Sequence, residues 1–222
     1  MMSRTKKWII AAVILVAVGG VIFIGALAAV GFDASKLETW FFHTNTYEFS
    51  DDFDSISINT EVAGVTILPS DDDVCRVICY EDDTLTNTVK VENGTLSIES
   101  VNTRKWYDNI GISINDPSVT VYLPEEAYAS VSVTVTTGTI TLESVICDSL
   151  NATVTTGNIS LEGCDAGEMN LEAAIGNIEG TVLSDKIFIA TANLGNVSVP
   201  GTTSGGICRA TVEIGDIKLE IE

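Results

Sequence analysis

The chain has 222 residues and carries 31 Asp and Glu against 11 Lys and Arg, which gives a formal net charge of −20 at pH 7. An acidic surface of this kind repels nucleic acid and anionic lipid headgroups, so it excludes functions that depend on phosphate contacts. The charge instead suits a domain outside the cytoplasm, where it keeps the protein soluble and discourages association between sheet edges.

The first element is an apolar segment long enough to cross a membrane. Residues 8–30 carry no charge, and at about 1.5 Å per helical residue they span the hydrocarbon core of a bilayer. Arg4, Lys6 and Lys7 precede this transmembrane helix, and positively charged flanks remain cytoplasmic. We therefore expect residues 1–7 to form a cytoplasmic flank and the C-terminal part to be extracytoplasmic. The alternative is a cleaved signal peptide, with a small-residue cleavage site at residues 26–28.

The middle of the chain is rich in strand signals but has no strict period. Residues 31–48 are interpreted as a juxtamembrane linker, and residues 49–128 as a strand-rich N-terminal part. Asn93 and Gly94 lie between two alternating runs, which is the strongest short signal for a β-hairpin. We expect residues 49–128 to cap the repeats that follow, because an open terminal coil would leave backbone groups unpaired.

Residues 129–222 repeat one short pattern five times. Each copy has an alternating apolar run, a glycine, a small polar residue and then Ile or Val, and the glycines are 19, 19, 19 and 20 residues apart. A fixed period of about 20 residues is typical of stacked coils. The predicted fold class is therefore all-β, a β-solenoid with a 19–20 residue repeat, preceded by one N-terminal transmembrane helix. The structural turn glycines of its bends would be Gly138, Gly157, Gly176, Gly195 and Gly215.

The positions within the repeat alternate between apolar and polar columns, which is the period of a strand. The residues seven, five and three positions before each glycine are mostly apolar and should point inward. The column four positions before each glycine is polar and should form a flat outer ladder of Thr134, Thr153, Glu172, Thr191 and Thr211. A second polar column follows each glycine at the bend, with Thr139, Asn158, Asn177, Asn196 and Asp216.

The order of these segments resembles a known bacterial family. The stretches FDSISINTEVAGVTILPSDDD, VKVENGTLSIES and VTVYLPEEAYASVSVTVTTGTITLE, followed by TTGNISL, are similar to the adhesin-like family called domain of unknown function 4097. The resemblance covers about residues 50–222, and it implies a β-solenoid-like fold and an envelope location. It supplies no catalytic residues. The polar residue that the family pattern places between Gly64 and Val65 is missing, which sets the first coil apart.

Residue types that carry catalysis or bind metals are sparse. His43 is the only histidine and lies in the predicted linker, which disfavours a Ser/His or Cys/His nucleophile. The acidic runs at residues 71–73 and 81–83 could serve a glycosidase or hold calcium, but such runs are usually solvated loops. We therefore predict no catalytic residue, no metal site and no cofactor.

The five cysteines are an odd number, so they do not form a complete disulfide framework. Cys208 falls in an inward column, where it acts as a small apolar residue. Cys75 and Cys79 are too far apart along a strand to bond with each other. Cys147 and Cys164 lie in the variable loops of adjacent coils and form the one plausible disulfide.

These features favour a membrane-anchored, adhesin-like protein that binds or scaffolds at the bacterial cell envelope without catalysis. Its partner would be an envelope glycan or a surface protein, neutral or cationic, and not a nucleic acid; the N-terminal helix provides the contact with the membrane. The first alternative is an accessory or sensor ectodomain of an envelope-stress regulatory system. The second is a polysaccharide-acting enzyme, which an acidic cleft would favour.

Overall fold

The computed structural model describes residues 4–33, 40–72, 74–105 and 115–222. The chain divides into one unit that contains the N-terminal helix and another that consists of residues 42–105 and 115–222. Helix α1 is Arg4–Ala29. Within α1, Lys6–Ala29 is a stretch of 24 residues with a mean hydropathy of 2.9, which by length and composition suits either a membrane span or a signal sequence.

The second unit consists of strands, which make up 62% of the structure. In chain order they are β1 (Phe42–Phe49), β2 (Ser55–Val62), β3 (Gly64–Pro69), β4 (Cys75–Asp82), β5 (Leu85–Glu92), β6 (Thr95–Asn102), β7 (Ser118–Leu123), β8 (Ala127–Thr137), β9 (Ile140–Glu143), β10 (Ile146–Thr156), β11 (Ile159–Ile175), β12 (Ile178–Val182), β13 (Lys186–Leu194), β14 (Val197–Ser198), β15 (Gly206–Ile214) and β16 (Ile217–Ile221). Within the repeats, two residues that begin with a repeat glycine connect β8 to β9, β10 to β11, β11 to β12, β13 to β14 and β15 to β16, which keeps these consecutive strands close in space.

The predicted β-solenoid is wrong, because ten strands close into a β-barrel. Their order is β10-β8-β2-β6-β5-β4-β7-β3-β9-β11, and β11 pairs with β10 to complete the ring. In a stack of coils, the strands of the first and last coils would each have one unpaired edge, and the order of strands would not close. Here β11 is 17 residues long and changes direction near Gly163, where φ is +58°. Its first part therefore pairs with β9 and its second part with β10.

The N-terminal strands supply the part of the ring that the repeat does not predict. Strand β6 pairs with β2 in parallel, and β4 pairs with β5 and β7 antiparallel. The predicted hairpin is confirmed, since Asn93 and Gly94 both have positive φ and join β5 to β6. Residues 42–48 of the predicted linker form most of β1, because Tyr47 and Phe49 pack against the core. Strands β2 to β7 therefore belong to the barrel wall, and β1 pairs with β4 beside it. The region does not act as the predicted cap.

The regular repeats form parallel strands that pair at an offset of 19 residues. Leu150 lies opposite Val131 on one side and opposite Met169 on the other. After β11, the order of strands in the sheet departs from their order in the sequence. Strand β11 pairs with β15, and β15 pairs on its other side with β13. The last repeat therefore lies between the third and the fourth, and β13 is the outermost strand of this array.

The inward columns of the repeat form the core. Val133, Ala152, Leu171 and Ala210 lie side by side on β8, β10, β11 and β15, and all four are buried. Burial of a Val or Leu side chain stabilises a fold by about 1.5–3 kcal/mol. The core therefore holds the strand ends and bends in place, and these ends and bends carry the candidate site.

Candidate functional site

The five glycines of the repeat lie at bends where backbones approach each other closely. Their φ angles are between +141° and +150°, a region that residues with a side chain rarely adopt. A Cβ atom on Gly157 would lie 1.7 Å from the carbonyl oxygen of Gly138, and one on Gly176 would lie 1.6 Å from that of Gly157. These glycines therefore allow one bend to pack directly on the next, which is a structural role.

The polar column after the glycines is used to join the bends. The side-chain oxygen of Asn158 accepts a hydrogen bond from the backbone N–H of Asn177, at 2.8 Å. Asn177 accepts one from the N–H of Asp216 at 2.9 Å, and Asp216 accepts one from the N–H of Asn196 at 2.7 Å. Because these side chains are engaged within the protein, the bend offers few free groups to a ligand.

The outward threonine column forms a flat face. Strand pairing places Thr134, Thr153, Glu172, Thr211 and Thr191 next to one another in that order. Neighbouring members of the column are about 4.8 Å apart, since that is the separation of paired strands. We call these five residues the threonine face. Its hydroxyls are mostly exposed, and Glu172 adds one negative charge at its centre.

The acidic runs that the sequence offered as catalytic or calcium-binding candidates serve the fold. Asp72 pairs with Arg76 at 3.2 Å, while Asp73 lies outside the described residues. Glu81 is buried and accepts a hydrogen bond from the Asn45 amide at 2.6 Å and others from Asn87. These interactions engage the carboxylates of Asp72 and Glu81 within the protein.

Asp82 is also buried, and it forms an ion pair with Arg104. Burial raises the pKa of Asp82, but hydrogen bonds from Thr84, Arg104 and the Leu85 N–H outweigh this effect and bring it below its usual value. Its neighbour Asp83 is exposed and lies 3.9 Å from the His43 ring nitrogen. Asp82 therefore anchors the turn between β4 and β5.

A different set of carboxylates lines a cleft of about 370 Å³ beside the first residues of β2 and β8. We call it the acidic cleft. The residues that line it are Phe49, Ser50, Asp51, Asp52, Phe53, Cys75, Pro124, Glu125 and Glu126. Four acidic residues and two phenylalanines therefore line one opening. The carboxylate residues are exposed, whereas the two phenylalanines are half-buried.

The wall of the acidic cleft is held by local packing. The Phe53 ring lies against the Tyr128 ring, with centroids 6.1 Å apart and planes inclined by 18°. The Tyr128 hydroxyl donates a hydrogen bond to the Pro124 carbonyl at 3.0 Å, which fixes the turn that carries Glu125 and Glu126. Burial raises the pKa of the Tyr128 hydroxyl, so it remains a neutral donor. The aromatic wall and the turn thus support each other.

Sequence reasoning missed the acidic cleft. Asp51 and Asp52 are more than 70 positions from Glu125 and Glu126, and no period links the two pairs. The usable signal is that each pair ends within three residues of the start of a strand and lies beside an aromatic residue or a proline. The parallel pairing of β2 with β8 then brings the starts of these two strands together.

The cysteines that the sequence suggested as a disulfide are both free, buried thiols. Cys147 lies opposite Ala166 and Tyr128 in its ladders, while Cys164 follows the change of direction in β11 and lies opposite Val182. The Cys164 thiol donates a hydrogen bond to the Leu142 carbonyl at 3.3 Å. Burial raises the pKa of Cys147 to about 12, so both packing and protonation make this thiol unreactive.

A buried lysine and Cys147 line the same shallow pocket. Lys186 is 2% exposed, and its ammonium group contacts the Asp165 carboxylate and the Ser184 hydroxyl. Burial raises the pKa of Asp165, but hydrogen bonds from Lys186 and Ser184 outweigh this and lower it. The pair is neutral overall, so we assign it a structural role.

Within the described residues, no group of three or more His, Cys, Asp or Glu side chains is arranged to hold a metal ion.

Comparison with known proteins places the fold in context. A putative cell adhesion protein from Clostridium sporogenes aligns with a TM-score of 0.62 and 12% identity, over 81% of this chain and all of the other. A putative adhesin from Bacteroides fragilis aligns with a TM-score of 0.42 and 16% identity, over 80% of this chain and 97% of the other. No curated protein sequence matches the chain. The model of the family Toastrack DUF4097 matches residues 53–222, and the chain therefore belongs to this family.

Proposed function

We propose that this protein is a membrane-anchored surface protein whose barrel binds a neutral or cationic envelope partner in the acidic cleft, without turnover. The observation that carries the proposal is the acidic cleft itself, which four acidic residues and two phenylalanines line. The family match and the similarity to proteins named as adhesins support an adhesin-like role. The partner is either a glycan or a surface protein.

The chemistry of the acidic cleft favours particular ligands. Carboxylates accept hydrogen bonds from sugar hydroxyls and from ammonium groups, and bonds to charged groups are the stronger ones. Phenylalanine rings offer an apolar wall, and their faces attract cations within about 6 Å. With the net charge of −20 as well, an anionic ligand is disfavoured. We therefore expect amine-bearing ligands to bind more tightly than neutral ones.

Exposure of the acidic cleft argues for binding rather than hydrolysis. A glycosidase requires one carboxylic acid with a raised pKa, which burial normally provides. Asp51, Asp52, Glu125 and Glu126 are all exposed to solvent. An acidic cleft is nevertheless also the feature that a polysaccharide-acting enzyme would need, so the binding experiment includes a search for cleavage products.

The experiment uses the full-length protein in mild detergent with two matched probes. Oligomers of N-acetylglucosamine are neutral, and the same oligomers after deacetylation carry amines; an oligogalacturonate serves as the anionic probe. Replacing Asp51 and Asp52 by Asn should weaken binding of the amine-bearing oligomer at least tenfold. The control replaces Asp71 by Asn and Glu213 by Gln, which removes the same charge from exposed positions outside the cleft. Equal losses in the two variants would refute the site.

The anchor and its orientation are part of the proposal. We propose that residues 1–7 are cytoplasmic, that residues 8–30 cross the membrane and that the barrel lies outside. The length and hydropathy of α1 support a span, and the basic residues Lys6 and Lys7 before it support this orientation. Protease added to intact, wall-stripped cells should digest the barrel and leave a small membrane-bound fragment. Full protection of the barrel would contradict the orientation, and a soluble product beginning near Ala29 would contradict the anchor.

A further inference from the structure

The outermost strand of the parallel array has an open edge. In the part of the chain that the structure describes, β13 pairs with β15 on one side and with no strand on the other. In a parallel strand, every second residue directs its N–H and C=O groups toward one side. Along β13, therefore, no strand of the described residues pairs with these groups at the open edge. Such an edge is a template for a further strand.

Core residues of β13 are also incompletely covered. Phe188, Ala190 and Ala192 pack against the core but are only half-buried. Their equivalents on the neighbouring strand β15 are fully buried, and these are Cys208, Ala210 and Val212. The difference arises because β15 has a neighbour on each side, whereas β13 has one. A strand added at this edge would complete the burial.

The open edge carries exposed apolar side chains as well. Ile187 and Ile189 point outward on β13 and are 38% and 51% exposed. Leu194, at the bend, is 67% exposed. In the two outward columns the repeats on β8 and β10 carry Ser130, Ser132, Ser149 and Asn151 instead. The sheet therefore changes from a polar to an apolar outer surface as it approaches the open edge.

Charge sets this edge apart from the rest of the protein. Residues 186–212 contain no Asp or Glu, although the chain has 31 such residues in total. The two basic residues of this stretch are both paired, Lys186 with Asp165 and Arg209 with Glu168. Natural proteins protect open edges with charges that point outward or inward, with prolines, with bulges or with a covering loop. On β13 such protection is confined to its first residue, the buried Lys186, whose carbonyl accepts a hydrogen bond from the Thr202 hydroxyl. The rest of the strand has no charged residue and no proline.

We propose that β13 is a homodimerisation edge, at which a second copy of this chain adds its own β13 antiparallel. A basic partner would be drawn to the acidic surfaces elsewhere on the barrel. For another chain with a net charge of −20, the edge without acidic residues is where approach meets the least repulsion. Pairing about a two-fold axis uses both open β13 edges, so the assembly closes at two copies.

The sequence of β13 suits such self-pairing. If the two-fold axis passes through Ala190, Phe188 of one copy faces Ala192 of the other, which sets a large side chain against a small one. On the outer surface, Ile189 faces Thr191 of the second copy. Apolar and β-branched cross-strand pairs of this kind stabilise antiparallel sheets. The dimer would then extend the apolar interior of each array across the interface.

The test measures dimerisation of the full-length protein in detergent by sedimentation velocity. The double variant Ile189→Lys, Thr191→Lys places lysines opposite each other across the proposed interface, so dimerisation should weaken at least tenfold. The control, Ser132→Lys with Thr134→Lys, adds the same charge to the same two columns on β8. It should remain dimeric, like the unaltered protein. A monomeric unaltered protein, or equal dimerisation of the two variants, would overturn the proposal.

A crosslinking variant keeps the proposal testable even if the lysine variant fails to fold. Antiparallel neighbours have Cα atoms about 4.5–5.5 Å apart, which is within the range for a disulfide. Ala190→Cys changes a small residue to a small residue at the proposed two-fold axis. Mild oxidation should link it into a covalent dimer, whereas the unaltered protein, with buried thiols, should not link. Absence of the link in the variant would also overturn the proposal.

Discussion

The bend at Gly157 provides the sharpest test of the packing between repeats. Replacing Gly157 by Val forces a β-branched residue into a φ of +142°. The new Cβ would lie 1.7 Å from the Gly138 oxygen and 2.7 Å from its carbonyl carbon. Because both contacts are with backbone atoms, a change of rotamer cannot relieve them. The two bends must separate instead.

The expected cost follows from these contacts. Backbone strain at such a φ costs about 1–3 kcal/mol. Separation also weakens the ladder bonds beside the bend, from the Gly138 N–H to the Thr156 carbonyl at 3.0 Å and from the Gly157 N–H to the Ile175 carbonyl at 2.9 Å. Each weakened bond costs about 0.5–1.5 kcal/mol. We therefore expect Gly157→Val to reduce the free energy of unfolding by roughly 2–6 kcal/mol.

The matched control is Thr153→Val on the same repeat. Thr153 points outward, is half-buried and lies between Thr134 and Glu172, so the change should alter stability by less than about 0.5 kcal/mol. Urea unfolding of the full-length protein in mild detergent, followed by far-UV circular dichroism, measures both. With a slope of about 1–3 kcal/mol per molar urea, the midpoint of Gly157→Val should fall by about 1 M or more. Equal midpoints for the two variants would refute the reasoning.

Three further predictions concern buried groups. Arg104→Ala leaves the buried Asp82 carboxylate unpaired and should cost about 3–5 kcal/mol, whereas Arg209→Ala removes an exposed pair and should cost at most about 1 kcal/mol. The pKa of Asp82 is lower in the folded state than in the unfolded state. The ionised carboxylate therefore stabilises the fold above its unfolded pKa, near 4, and this stabilisation is lost as the pH falls through the folded pKa. Measuring the free energy of unfolding as a function of acid pH checks this. Alkylation should leave the thiols of the folded protein unlabelled and label all five after unfolding; labelling of only three would indicate the Cys147–Cys164 disulfide.

The sequence repeat was enough to predict the strands of the parallel array and which of their residues are buried. The alternating columns predict which residues of β8, β10, β11 and β15 point inward, because a strand's side-chain period is two. Val133, Ala152 and Leu171 are buried side by side for this reason. The hairpin at Asn93 and Gly94 was predictable because few other residue pairs adopt two successive positive φ angles.

Closure into a barrel could not be predicted from the columns. A periodic column states which side of a strand is buried, but it does not state which strand lies next to it. The third repeat pairs with the fifth rather than the fourth, which places Cys208 between Met169 and Phe188. All three residues are apolar, so the inward column does not distinguish this order from the order of the chain. Closure also depends on the change of direction near Gly163 and on the irregular N-terminal strands, neither of which follows the period.

The acidic cleft could not be predicted for a related reason. Asp51 and Asp52 are distant in sequence from Glu125 and Glu126, and only the pairing of β2 with β8 brings them to one opening. The acidic run at 81–83 looked more promising in the sequence because it is continuous. Two of its three carboxylates, Glu81 and Asp82, are buried in the fold. The local sequence does not indicate this burial.

The central claim is that the acidic cleft binds a neutral or cationic envelope partner without turnover. The most direct measurement is calorimetric titration of the full-length protein in detergent with deacetylated glucosamine oligomers at low and high salt, followed by mass spectrometry of the recovered oligomer. The account predicts saturable binding that weakens with salt, is lost in the Asp51→Asn, Asp52→Asn variant, and returns the oligomer intact. Shortened oligomers that disappear with the same variant, or binding that the variant leaves unchanged, would contradict it.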